Sequence, residues 1–139
     1  MLVERIKKFY DVEYDLNCAE TIIYAANEEY DLNLSKDALK TMAAFGGGMA
    51  IESVCGAATG AIAVIGIMFT EISGHKSPRV KELTQEFMSE FEKALGTLEC
   101  DKLKEEYRED EVRCLRMVET AGKILEDIIT REKRWVNGL

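Results

Sequence analysis

Apolar residues recur along the chain at helical spacing, and stretches that alternate between apolar and polar residues are scarce. This pattern predicts an all-α fold, and the presence of one proline, Pro78, agrees with it. The helical spacing of the apolar residues and the positions of capping residues together indicate a compact bundle of five or six helices. The expected helices cover residues 2–12, a segment starting at 17, 35–48, 55–72, 77–96 and 110–135, with a short turn around residue 100.

Two of these helices begin at recognisable capping signals. Asn17 is a good N-cap, and Glu20 follows three residues later, as in a capping box. Ser77 precedes Pro78, which places a proline at the first helical position. The second and fifth helices are therefore expected to start at these residues.

The middle of the chain is its most apolar part. Residues 53–70 are 18 residues without a charge, which reaches the length threshold for a membrane span. However, three glycines interrupt the stretch, and its flanks, Glu52 and Glu71, are acidic rather than basic. We therefore expect a buried helix at the centre of the bundle, over about residues 55–72, and no insertion into a membrane.

Composition narrows the range of functions. A chain of 139 residues with 47% apolar residues suits a single helical domain over residues 1–139. Its net charge of −8 argues against nucleic acid and anionic lipid as partners. Charges interrupt the first ten residues, which lack an apolar secretory core, so we expect a cytoplasmic protein with reduced thiols. The single histidine, His75, excludes a di-iron site of paired Glu-x-x-His motifs.

The chemistry is expected at four cysteines, Cys18, Cys55, Cys100 and Cys114. Four thiolates are the number that one iron–sulfur cluster or one closed zinc site requires. Two disulfides would also use four cysteines, but a reducing compartment disfavours them. The separations of 37, 45 and 14 residues match no local metal-binding motif, so tertiary folding must assemble any shared site.

The predicted positions of these cysteines lie near helix ends. Cys18 follows the N-cap Asn17, and Cys55 opens the central helix. Free N–H groups and the positive end of the helix dipole favour thiolate over thiol at such places, and they would also stabilise an anionic cluster. Cys100 lies in or beside a turn, and Cys114 lies near the start of the last helix. All four sulfurs can therefore point inward.

Five glycines are candidates for cofactor binding. A glycine-rich loop can wrap its N–H groups around a cluster or an anion, but it can equally end a helix and continue as a linker. A strip of glycines on the central helix can make room for a compact inorganic cofactor or for close packing of a neighbouring helix. The candidates are Gly46, Gly47, Gly48, Gly56 and Gly60.

The order of these features resembles a known family. The chain has an early cysteine in the string NCAE at 17–20, a central CGAATG at 55–60, and then Cys100 and Cys114. Over nearly the whole chain this order is similar to the C_GCAxxG_C_C family of redox-active proteins. The resemblance implies a redox role on a helical fold, through an iron–sulfur centre.

The leading hypothesis is electron transfer or redox sensing through an iron–sulfur cluster bound by the four cysteines. A [2Fe–2S] cluster suits four scattered ligands, and a [4Fe–4S] cluster remains an alternative. Thiol–disulfide exchange without metal is a second hypothesis, with pairs such as Cys18–Cys55 or Cys100–Cys114. A structural zinc site is a third. Four buried thiols in a bundle with an unrelated binding function is the simplest alternative.

The partners expected on these hypotheses are other proteins. A redox role calls for a redox partner protein, whose identity the sequence does not indicate. A homodimer is a further expectation, formed through the small-residue strip of the central helix and the C-terminal aromatic residue, Trp135.

Overall fold

The computed structural model describes the backbone of residues 1–136 and the side chains of residues 1–133. Within this part the chain forms seven α-helices and no strand, so the all-α prediction is confirmed. The helices are α1 (Leu2–Phe9), α2 (Cys18–Glu29), α3 (Lys36–Lys40), α4 (Gly56–Phe69), α5 (Pro78–Leu95), α6 (Cys100–Tyr107) and α7 (Leu115–Val136).

Both predicted capping positions precede a helix, although Ser77 makes no side-chain capping bond, because its hydroxyl accepts from the amide of Glu71 at 3.0 Å. The amide of Glu20 donates to Asn17 Oδ1 at 2.8 Å, and the amide of Asn17 donates to Glu20 Oε1 at 3.1 Å, which completes the capping box of α2. Helix α5 begins at Pro78 and ends at Gly96, whose φ of 91° is left-handed. The helix starts at 17 and 77 and the stop at 96 are therefore confirmed.

Other boundaries differ from the prediction. Helix α1 ends at Phe9 rather than at residue 12, and α4 is shorter than the predicted 55–72 at both ends. The turn expected around Cys100 is a full helix, α6, which raises the number of helices above the predicted five or six. Helix α7 begins at Leu115 rather than at 110, because Arg113 has a φ of 53°, which a right-handed helix cannot include.

The largest difference follows α3, which ends at Lys40 instead of reaching the glycines. A short 3₁₀ turn, Ala43–Phe45, comes next, and then a turn over residues 47–52 in which nearly every residue is left-handed. The φ angles there are 64° at Gly47, 61° at Gly48, 60° at Met49, 64° at Ala50 and 56° at Glu52. Left-handed backbone costs about 1–2 kcal/mol at each non-glycine residue, so this turn is strained.

Helix α4 lies at the centre of the bundle, as predicted. It packs against α2, α5 and α7, while α1 packs against α2 and α7. Its buried residues are small or branched: Gly56, Ala57, Ala58, Gly60, Ala61, Val64 and Ile65. One side of α4 remains open, since Ile67 is 40% exposed and no atom lies near the position that a Cβ on Gly66 would take.

Ion pairs join helices α5 and α7. Arg79 Nε lies 2.7 Å from Glu132 Oε1, and Arg131 Nη1 lies 2.8 Å from Glu86 Oε2. The hydrogen bonds from Arg79 lower the pKa of the buried Glu132 carboxyl to about 2. These pairs fasten the C-terminal half of α7 to α5.

Two predictions concern surfaces of the molecule. Among the described residues, no helix combines the length and the apolar character that a bilayer crossing requires. Trp135, which was expected to contribute to a dimer contact, lies outside the described side chains.

Candidate functional site

Each of the four cysteines stands at the N-terminal end of a helix. Cys18 and Cys100 are the first residues of α2 and α6, Cys55 is the N-cap of α4, and Cys114 immediately precedes α7. All four are free thiols. Cys55, Cys100 and Cys114 are buried, whereas Cys18 is partly exposed as a residue although its sulfur is desolvated.

A short antiparallel bridge brings Cys55 and Cys100 together. The amide of Cys55 donates to the carbonyl of Leu98 at 2.8 Å, and the amide of Cys100 donates to the carbonyl of Ser53 at 2.6 Å. These bonds fasten the start of α6 beside the start of α4. Two cysteines that are 45 residues apart in sequence therefore become neighbours.

A tyrosine from the end of α1 joins Cys18 to Cys114. The Tyr10 hydroxyl accepts a hydrogen bond from the amide of Cys114 at 3.1 Å and lies 3.9 Å from Cys18 Sγ. The two thiols also interact with each other, and this interaction shifts the pKa of both. The starts of α2 and α7 are thus held around one aromatic side chain.

Cys114 lies at the centre of the group. Its charge interacts with the charges of Cys18, Cys55 and Cys100, and Cys55 interacts with Cys18 and Cys100 as well. The four cysteines therefore occupy one shared region, which we call the four-cysteine site. The sequence required such a site to be assembled by tertiary folding, and the structure brings its members together.

The thiols of this site differ in their acidity. The hydrogen bond from the Cys18 thiol lowers the pKa of Cys114 to about 6, and the same bond and burial raise the pKa of Cys18 well above its ordinary value. Burial raises the pKa of Cys55 to about 11, although the neighbouring amides of Ala57 and Ala58 act in the opposite direction. Burial also raises the pKa of Cys100.

This result corrects one expectation from the sequence. Helix N-termini were expected to favour thiolate at Cys18 and Cys55, and both are thiols instead. Desolvation and repulsion between neighbouring sulfurs outweigh the helix dipole there. In the metal-free protein the site therefore holds a single thiolate, at Cys114.

Residues 16–128 match a protein family described as "Putative redox-active protein (C_GCAxxG_C_C)". The chain belongs to this family. The match includes all four cysteines of the C_GCAxxG_C_C signature and leaves out helix α1. No curated protein and no solved structure matches the chain. The resemblance read from the cysteine order is therefore confirmed.

Two glycines of the C_GCAxxG_C_C motif lie where α4 crosses the start of α2. A Cβ on Gly56 would lie 3.4 Å from the Cβ of Cys18, and a Cβ on Gly60 would lie 2.8 Å from the carbonyl oxygen of Ala19. Both glycines let the backbones approach closely. They bring Cys18 against α4, and these contacts are those of close helix packing.

Two glycines of the loop at 46–48 also lie against residues at or next to the four-cysteine site. A Cβ on Gly48 would lie 2.8 Å from the Cβ of Cys100, and one on Gly46 would overlap the side chain of Asn17, next to Cys18. No atom lies within 4 Å of the position of a Cβ on Gly47. Glycine is favoured there because the backbone has a left-handed φ of 64°. Four of the five candidate glycines thus pack against protein atoms, and a direct role in cofactor binding stays a prediction.

Two residues of the site could not be identified from the sequence. Tyr10 lies on the apolar side of α1, where its spacing indicates only core packing, and Arg113 is one charged residue among many. Arg113 Nη2 donates to the carbonyl of Tyr10 at 2.5 Å, and its guanidinium lies 4.2 Å from the centre of the Tyr10 ring. No sequence signal marks either residue, because only the fold places them beside Cys18 and Cys114.

The donor set agrees with a metal centre in kind and number, since four thiolates suit an iron–sulfur cluster or zinc. However, the side chains are not arranged as the ligands of one metal ion. Within residues 1–136, no three histidine, cysteine, aspartate or glutamate side chains stand where they could hold one metal ion. Loading of a metal centre would have to draw the sulfurs closer together than they are here.

Proposed function

We propose that this member of the C_GCAxxG_C_C family transfers electrons or senses redox state through an iron–sulfur cluster held by Cys18, Cys55, Cys100 and Cys114. One observation carries the proposal: four helices each begin at or beside a cysteine, and these cysteines are close enough for their charges to raise one another's pKa. The positive ends of four helix dipoles favour a strongly anionic group at these cysteines. An iron–sulfur cluster with four thiolates is such a group.

The acidity of the thiols supports the same proposal. Three of the four sulfurs resist ionisation because they are buried and repel one another. Cationic iron would compensate four thiolates at once, as metal binding generally deprotonates its cysteine ligands. When bound, the cluster would supply one-electron chemistry, and the amides of Ala57 and Ala58, which favour the Cys55 thiolate, would stabilise it.

Thiol–disulfide exchange is the second candidate, and it is favoured because Cys18 and Cys114 both contact the Tyr10 hydroxyl and shift each other's pKa. In this reaction the Cys114 thiolate attacks a substrate disulfide, forms a mixed disulfide and releases one substrate thiolate, which takes up a proton. The Cys18 thiol loses its proton and attacks Cys114 Sγ, which releases the second substrate thiol. The protein dithiol gives up two electrons and the substrate disulfide gains them. This pair differs from the pairs that the sequence suggested.

Metal and thiol analysis of protein purified without oxygen separates these functions. The iron–sulfur proposal predicts iron and sulfide in equal amounts, absorbance in the visible range and four unreactive cysteines. Stoichiometric zinc without redox change would indicate the structural alternative. Metal-free protein that reversibly loses two thiols would indicate the dithiol function. Protein that is colourless after anaerobic reconstitution, with four thiols that do not oxidise reversibly, would refute both redox proposals.

Single serine variants provide a second discrimination. A cluster needs all four ligands, so Cys100→Ser and Cys114→Ser should both lose iron. A dithiol function needs only Cys18 and Cys114, so Cys100→Ser should keep the reversible loss of two thiols while Cys114→Ser abolishes it. Cys100→Ser thus serves as the matched control for Cys114→Ser.

Location and partners are part of the same proposal. Reduced, closely packed thiols suit the cytoplasm, and electron transfer calls for a redox partner protein. The net charge of −8 disfavours nucleic acid as that partner. The small-residue strip that was expected to form a homodimer is buried against α2 at Gly56 and Gly60, so a homodimer would have to use the open side of α4, with Gly66 and Ile67.

A further inference from the structure

We infer that Tyr10 is a positioning residue of the four-cysteine site, and that helix α1, which lies outside the family match, completes this site. The inference rests on the proposed redox function and extends it to a residue that the cysteine signature does not contain. Tyr10 lies just after α1, on the side of the bundle where α2 and α7 begin.

The hydroxyl of Tyr10 has contacts with two of the four cysteines. The amide of Cys114 can only donate, so the Tyr10 oxygen accepts at that 3.1 Å contact. The hydroxyl proton is then left for the sulfurs: Cys18 Sγ lies 3.9 Å away, and the hydroxyl also lowers the pKa of Cys114. Tyr10 is 6% exposed, which leaves little room for water to replace either contact. One hydroxyl therefore fixes the distance between the starts of α2 and α7.

Arg113 holds the Tyr10 backbone and ring in position. Its guanidinium lies on the ring and donates to the carbonyl of Tyr10. The loop before Cys114 is closed by two backbone hydrogen bonds between Glu109 and Arg113, at 2.6 and 3.1 Å. These contacts keep Arg113 at its left-handed φ of 53°. The strained residue next to Cys114 is thus anchored on the end of α1.

A hydroxyl that donates to sulfur stabilises the state with more negative charge on that sulfur. The reduced form of a cluster is the more negative state, and so is the reduced dithiol, whose Cys114 thiolate the Tyr10 hydroxyl also stabilises, so the hydrogen bond raises the reduction potential. Removal of the hydroxyl should favour the oxidised form by about tenfold, if a hydrogen bond to a charged group contributes its usual amount. A tenfold change corresponds to about 59 mV for one electron and about 30 mV for two.

The variant Tyr10→Phe removes the hydroxyl and keeps the ring, so the packing role of Tyr10 is retained. Tyr107→Phe is the matched control, because the Tyr107 hydroxyl donates to the carbonyl of Leu95 at 3.0 Å, away from the cysteines. Two quantities are measured on both variants and on the wild-type protein. They are the reduction potential of the centre present after anaerobic purification, and the hydrogen exchange rate of the Cys114 amide in the metal-free reduced protein.

We expect Tyr10→Phe to lower the potential by the amount above and to accelerate exchange of the Cys114 amide about tenfold, because that amide loses its acceptor. Tyr107→Phe should change neither quantity. An unchanged potential in Tyr10→Phe, or equal shifts in both variants, would overturn the inference.

The failure of the proposed function can be recognised separately. If the wild-type protein has neither a metal centre nor a reversible disulfide, the proposed function fails, and the exchange rate alone decides about Tyr10. Selective acceleration at Cys114 in Tyr10→Phe would then still support the positioning role. An unchanged exchange rate would overturn it.

Discussion

Gly60 of α4 lies directly on the backbone of Ala19 in α2. A Cβ on Gly60 would stand 2.8 Å from the carbonyl oxygen and 3.1 Å from the Cα of Ala19. Backbone atoms cannot rotate away, so any side chain at this position would push the two helices apart. Because Cys18 precedes Ala19, this contact also sets how closely the first cysteine of the site approaches α4.

We therefore predict that Gly60→Ala lowers the free energy of unfolding by about 1–3 kcal/mol, the usual cost of overpacking. Gly66→Ala is the matched control in the same helix, since nothing lies within 4 Å of its added Cβ. It should raise stability by about 0.5–1 kcal/mol through helix propensity. Urea unfolding of both variants measures the difference. Equal effects of the two substitutions would contradict the contact between Gly60 and Ala19.

The left-handed turn at residues 47–52 leads to a second prediction. Ala50 has a φ of 64°, where glycine is free of the strain that alanine carries. Ala50→Gly should therefore stabilise the protein by about 1 kcal/mol, less the entropy that glycine adds to the unfolded chain. Ala63→Gly, within α4, is the control and should destabilise by about 1 kcal/mol. Thermal unfolding would disprove the strained conformation if both variants lose stability equally.

A third prediction concerns acid stability and Glu132. Its pKa falls from the usual 4.5 to about 2 in the folded protein, through the hydrogen bonds from Arg79 and then Arg131. The stabilisation is therefore complete above pH 4.5 and is lost as the pH falls toward 2. Because the guanidinium groups are almost half exposed, we expect a contribution of about 1–2 kcal/mol.

Glu132→Gln should flatten the dependence of unfolding free energy on pH between 4.5 and 2, as measured by urea unfolding at a series of pH values. Glu90→Gln is the control, because the Glu90 carboxylate is exposed and lies 3.8 Å from Lys93. Its pH profile should parallel that of the wild-type protein. A Glu132→Gln profile that also parallels the wild type would contradict the assigned pKa.

The fourth prediction concerns the metal-free reduced protein. One thiolate should appear with a pKa of about 6, at Cys114, because the Cys18 thiol donates to it. Cys18→Ala removes the donor and should move this titration up toward the ordinary thiol value of 9.0. Cys100→Ala keeps the donor and should leave it near 6. The ultraviolet absorbance of thiolate reports both titrations, and a Cys18→Ala variant that still titrates near 6 would refute the hydrogen-bond origin.

The accuracy of the sequence prediction varied with the kind of signal. Where side chains cap a helix locally, as Asn17 and Glu20 do, the boundary was correct, because the interacting groups are three residues apart. The predicted helix over 35–48 was wrong after Lys40, since nothing in the local pattern indicates the 3₁₀ turn Ala43–Phe45 or the left-handed backbone that follows it. The helix at Cys100 was missed because its start depends on a backbone bond to Ser53.

The sequence alone was sufficient for the all-α class, the central position of α4, the family and the four cysteines, because these follow from apolar period, composition and residue order. Tertiary structure decided which sulfurs meet, which of them ionises, and that Tyr10 and Arg113 take part. The reason is physical: acidity and contact depend on burial and on distances between segments up to about a hundred residues apart, which no local pattern contains.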